Sequence, residues 1–184
     1  MTDLWERADE DKLGELIIYA AGQLLDDPAG GAVKINKVLY FAECAHIRTY
    51  GVPITGVAYQ KLPQGPAPRR FVPVRDRLIA NGDLVLSVEE RFGRPLHRLT
   101  PRRAQRAGIL SQQELDAVDA VIDALSGKSG SEVSDMSHEE PGWIMVEENE
   151  DIPLSTAYLP RRAVMSRAAR RRARELAANL PGAG

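Results

Sequence analysis

The chain has 184 residues and a mass of 20.2 kDa, with 43% hydrophobic and 27% charged residues and a formal net charge of −2. That is the size and composition of one globular domain with a short appendage, which excludes wholesale disorder, collagen-like repeats and a membrane bundle. A lone cysteine, Cys44, excludes an internal disulfide and a cysteine-rich zinc site, and the longest apolar run, residues 16–21, is too short for a membrane span or a signal peptide, so a cytoplasmic location is expected.

Leu13, Leu16, Ile17, Ala20, Ala21 and Leu24 recur at three- and four-residue steps and predict an amphipathic helix after Asp11, ended by Asp27-Pro28-Ala29-Gly30-Gly31. Residues 34–50, KINKVLYFAECAHIRTY, place Ile35, Val38, Leu39, Ala42, Ala45 and His46 on one stripe, with Gly51 as the stop. A short extended piece is expected over 57–61. The following LPQGPAPRRF holds three prolines and a glycine and predicts a loop of fixed, partly extended path. A helix from Val72 to Asn81-Gly82 comes next, then two short strands, 84–88 and 96–99, joined by a charged turn around Gly93. Ser111 and Glu114 have capping-box spacing ahead of Leu115, Val118, Val121, Ile122 and Leu125, and Gly127 closes that helix. A short helix over 131–137 is expected to break at Pro141-Gly142, an extended stretch over 152–159 to follow, and an Arg- and Ala-rich helix to end the chain. The order specifies a mainly α, α+β fold: a compact helical domain with a small antiparallel β-hairpin or sheet and no βαβ series.

The net charge conceals three zones. Residues 69–106 carry ten arginines against Asp76, Asp83, Glu89 and Glu90; residues 132–151 carry eight acids and no Lys or Arg; from Arg161 onward seven arginines face only Glu175. Such blocks form solvated faces, neutralise one another, or meet a charged partner.

The residues for covalent or metal chemistry are poorly arranged. Cys44 lies two positions from His46 in a helix, so the two point to different faces, and each reads as a core or boundary residue. His97 alternates away from Leu96 in its strand and reads as exposed. In SHEEPGW, residues 137–143, His138, Glu139 and Glu140 could in principle hold a divalent metal or move protons, but neighbours on a short helix cannot all face one ion. Gly65 stands alone among prolines, so neither a Walker loop nor a dinucleotide fingerprint is present. No catalytic residue, cofactor or metal is therefore assigned, and the chain is read as a non-enzyme. The alternative is a DNA-binding regulator: a helix followed by the Arg-rich hairpin 91–103 resembles the wing of a winged helix, with Arg91, Arg94 and Arg98 on phosphates. Against it stand a helix with only Arg75 and Arg77 on offer and a pI near 6.0.

Three strings, KINKVLYFAECAHIRTYGVPITG from Lys34, YQKLPQGPAPR from Tyr59 and SHEEPGW from Ser137, occur in an order and spacing that resemble the SocA-like Panacea domain over residues 13–159. The resemblance divides the chain into an N-terminal extension (1–12), that domain (13–159) and an Arg-rich tail (160–184), and leaves no room for a fused helix-turn-helix, so a solo form is expected. Similar proteins belong to bacterial toxin–antitoxin loci and prophage regions. The implied role is an antitoxin that binds a cognate toxin directly, with delivery to an energy-dependent protease as the variant seen in some relatives. The partner is thus a toxin protein, with nucleic acid as the alternative and no membrane. The candidate partner-binding residues are Gly65, Pro66 and Arg69 in the Pro/Gly loop and His138, Glu139, Glu140 and Trp143 in the acidic segment. Trp143 is expected to bury its indole inside the domain.

Overall fold

The computed structural model describes residues 8–91 and 93–160, and the architecture is that of those residues; the expected Arg-rich terminal helix lies outside them. Asp9 accepts the Lys12 amide at 2.8 Å and caps α1, Glu10–Gln23, whose buried side chains include Leu13, Leu16, Ile17, Ala20 and Ala21. α2, Ala32–Tyr50, ends at Gly51 with φ 79°, the left-handed stop that its sequence predicts. β1 (Tyr59–Leu62) and β2 (Gly65–Pro68) form a tight hairpin, followed by α3, Phe71–Ala80. A second, longer hairpin pairs β3, Leu84–Arg91, with β4, Arg94–Pro101. α4, Gln112–Ala124, starts at the expected capping box, with both the Glu114 amide bond to Ser111 Oγ (3.3 Å) and the Ser111 amide bond to Glu114 Oε2 (2.8 Å) formed. α5 (Gly130–His138), α6 (Pro141–Met145), β5 (Asp151–Ile152) and a 3-10 turn (Leu154–Tyr158) complete the described chain.

The fold is α+β, with two small antiparallel sheets of order β2-β1-β5 and β3-β4. α2 is its axis. Ile35, Val38, Leu39, Tyr40, Ala42, Cys44 and Ile47 are buried on several sides of it, because α1, α4, α5, β2, β4 and the 3-10 turn all pack against it. A helix surrounded in this way must be apolar round most of its girth, and each fully buried Leu or Ile contributes roughly 1.5–3 kcal/mol.

Three expectations are corrected. The Pro/Gly loop is a strand: residues 65–68 pair with β1 from Tyr59↔Pro68 to Leu62↔Gly65 and are buried throughout. Pro66 and Pro68 are tolerated because β2 is a sheet edge, where a missing N–H breaks no ladder. Pro141-Gly142 does not merely end α5; Pro141 opens α6, where the absent N–H would have had no partner in any case. The extended stretch over 152–159 is only two residues of strand before the chain winds into the 3-10 turn.

Candidate functional site

The three sequence strings meet at one place. Lys37, Tyr40, Cys44 and Arg48 follow one another at helical steps of three and four along α2, and this line faces β2, α5, α6 and the 3-10 turn. Lys37 is buried, and its Nζ donates to the Pro66 carbonyl at 3.0 Å. Burial with no carboxylate beside it pushes the Lys37 amine down to about 7. Gly65, at φ +97°, lets β2 pass over this amine: a Cβ there would sit 2.6 Å from Lys37 Cε and overlap the Ser137 hydroxyl. Ser137 is itself buried and donates to the Ser134 carbonyl at 2.7 Å. At the far end of the line Arg48 reaches Glu140 Oε2 at 3.2 Å and the Ala157 carbonyl at 2.6 Å. Between them Gly142 lies so close that a Cβ would overlap Thr156 Oγ1 and come within 2.6 Å of Ile152 Cγ2 and 3.2 Å of the Tyr40 hydroxyl. Burial pushes the Cys44 thiol up to about 12, which keeps it protonated and unreactive.

This junction holds out a surface on its other side. Trp143 is half-buried, stacked on the His138 ring at 4.1 Å between centroids and 21° between planes, with Lys61 Nζ 4.0 Å from the indole centroid. Its Nε1 points to the Leu62 carbonyl at 3.4 Å, and Lys61 also donates to the Val146 carbonyl at 2.8 Å, so the indole is fixed against the β1–β2 turn. Burial lowers the His138 pKa from its ordinary 6.5, so the ring is neutral at pH 7. Next to it Ile144 and Met145 stand in solvent, 41% and 65% exposed. Glu139, Glu147, Glu148 and Glu150 are exposed around them, and no lysine or arginine among the described residues pairs with any of the four.

Of the residues singled out from sequence, Gly65, Pro66 and Glu140 lie inside the junction, where they position elements. Arg69 is exposed and ties the end of β2 to the acidic segment through Asp151 and the Asn149 carbonyl (2.6 Å), and to β1 through Gln60 Oε1 (3.1 Å). His138 and Trp143 are at the boundary and Glu139 is exposed. His138 stacks on Trp143, Glu140 meets Arg48 and Glu139 is exposed, and no group of three potential metal ligands gathers among the described residues. Lys37 and Arg48 were missed as site residues, although their spacing with Tyr40 and Cys44 along α2 is visible in the sequence.

The basic hairpin differs from its reading as a phosphate-binding wing at one decisive position. Arg98 is buried: its guanidinium donates to the carbonyls of Leu24, Leu25, Asp27 and Gly30 at 3.2–3.4 Å and to Glu89 at 3.0 Å, so it closes the C-terminal end of α1. Arg75 is engaged by Asp76, Arg77 by Asp11, and Arg103 by Glu15 and Asp83. The basic zone is thus largely neutralised within the fold, chiefly by acids of α1 and of the hairpin, while most of the acidic segment has no cationic partner among the described residues.

Residues 35–144, well over half of the chain, match the model of the family described as antitoxin SocA-like, Panacea domain. The chain belongs to this family. No curated protein and no solved structure matches it. The match runs from α2 to Ile144 and so takes in every residue of the junction from Lys37 to Gly142, with Trp143 as well. No helix among the described residues is long and apolar enough to cross a membrane.

Proposed function

We propose that this Panacea-domain protein is an antitoxin that neutralises a cognate toxin by direct binding, without catalysis, and that the toxin docks on Trp143, Ile144 and Met145. The observation that carries the reading is the pairing of solvent-facing Ile144 and Met145 with an indole held on one side by His138 and on the other elements by Leu62 and Lys61. An aromatic anchor that is already rigid loses little conformational entropy on binding, and fully desolvated aromatic and aliphatic contacts supply most of the affinity in such interfaces. Glu139, Glu147, Glu148 and Glu150 around it, which no lysine or arginine among the described residues neutralises, would accelerate encounter with a basic toxin surface. In this reading Gly65, Pro66 and Glu140 support the surface from beneath, and Arg69 and His138 orient it. Neutralisation by masking the toxin is the simplest consequence; handing it to an energy-dependent protease would use the same contact.

The test is coexpression with the product of the adjacent open reading frame, scored by rescue from growth arrest and by copurification. Rescue by the wild-type chain is expected, and its loss in an Ile144→Asp/Met145→Asp variant with an unchanged circular dichroism spectrum. A chain that neither rescues nor copurifies rules out the antitoxin reading, whereas full rescue by the double variant moves the contact elsewhere.

A further inference from the structure

A second surface lies at the opposite end of α2. The turn after α1 and the C-terminal end of α4 enclose a groove of about 430 Å³ whose walls include Leu24, Pro28 and Ile122 and whose rim carries Asp26, Asp27 and Asp123. Asp27 is engaged by Lys34 and by the Ala29 amide, but Asp26 and Asp123 are exposed and have no cationic partner among the described residues. α4 has no basic residue in its last turn, so the negative end of its helix dipole adds to these carboxylates, whereas the end of α1 is already closed by Arg98. Apolar walls under an acidic rim suit one kind of side chain above others. An arginine lays its aliphatic stem on the walls and its guanidinium against the carboxylates.

We propose that the occupant of this groove is the arginine-rich segment of the same chain, residues 161–184. That segment supplies seven arginines against one glutamate, with Val164 and Met165 between the first arginines to meet Pro28 and Ile122. Its complement is the rest of the C-terminal half, since residues 111–151 hold twelve Asp and Glu against the single Lys128. The reach is sufficient. The described chain leaves the fold at Pro160, beside Arg48 near the C-terminal end of α2, whereas the groove adjoins the N-terminal end of that helix. A helix of this length puts the two ends about 30 Å apart, and 24 residues can span up to about 80 Å. Docking in this way places the tail's positive charge on the acidic side of the molecule and keeps it from competing for nucleic acid. It involves none of Trp143, Ile144 and Met145, so it stands independently of the toxin surface.

Limited trypsin digestion of the full-length chain, with products read by intact mass, tests this directly. Cleavage after the arginines of 161–174 is expected to be slow at low ionic strength and to accelerate with added salt. In an Asp26→Asn/Asp123→Asn variant it should accelerate about five- to tenfold, the equivalent of losing two exposed ion pairs. Equal rates in wild type and variant, or no salt dependence, overturn the proposal. So does release of the tail by Glu147→Gln/Glu148→Gln with no effect of the groove substitutions, which would assign it to the acidic segment beside Trp143. Protection that rises with protein concentration would assign the contact to a second copy and overturns it equally.

Discussion

Lys37 offers the most stringent test of the junction. Burial takes its amine from an ordinary 10.5 to about 7, so between those values the unfolded chain holds a proton that the folded chain does not. Stability must therefore rise with pH across that window. At about 1.4 kcal/mol for each tenfold change in proton affinity, the charged form costs the fold on the order of 4–5 kcal/mol at pH 6, of which about 2–3 kcal/mol is recovered between pH 7 and 9. The window stops at 9 because the buried Cys44, Tyr40 and Tyr59, whose pKa values are all raised, hold their protons there while the unfolded chain begins to lose them, which reverses the slope. Lys37→Met keeps most of the volume, removes the charge, and leaves the Pro66 carbonyl without its donor at a cost of about 1 kcal/mol. Urea unfolding at pH 6, 7, 8 and 9 should show the wild type gaining about 2–3 kcal/mol between pH 7 and 9 relative to the variant, and the variant the more stable of the two at pH 6. Parallel curves would refute the reasoning, because they would mean that Lys37 keeps its charge solvated in the folded protein.

Gly65→Ala combines an unfavourable φ with a clash into Lys37 and Ser137 and should cost about 2–4 kcal/mol, seen as a fall in Tm. Tyr59→Phe should be neutral or stabilise by up to about 1 kcal/mol in urea unfolding, since the Tyr59 hydroxyl is buried without a hydrogen-bond partner. Arg98→Ala should destabilise by about 2–4 kcal/mol by orphaning the carbonyls at the end of α1, whereas Arg94→Ala, on the exposed hairpin tip, should change stability by less than about 0.5 kcal/mol; equal effects would contradict the buried clamp. Glu15, held below its ordinary pKa by Arg103 and the Arg106 amide against its burial, contributes stability that is present above pH 4.5 and drains away as pH falls; Arg103→Ala should abolish much of that acid sensitivity in thermal melts between pH 3 and 6.

The sequence by itself determined the elements whose signals are local. The stripe of α1, the long α2 with its Gly51 stop, the Ser111 capping box and the β3–β4 hairpin follow from periodicity, capping chemistry and alternation, which need no distant partner. The family was legible too, because its three strings survive as contiguous text. Only the tertiary structure decided what those strings do. Residues 65–68 become a strand because β1 lies beside them, a fact that their two prolines conceal. Arg98 is a structural clamp and not a phosphate ligand because the turn that follows α1 presents it with four carbonyls more than sixty residues away in sequence. Gly65 and Gly142 are forced by side chains that arrive from other elements. Trp143, expected in the interior, is held at its boundary, since its partners Leu62 and Lys61 sit on a turn at the surface. Charge and spacing along a chain specify which faces exist; which of them are spent inside the fold and which remain for a partner depends on contacts between residues that sequence order keeps apart.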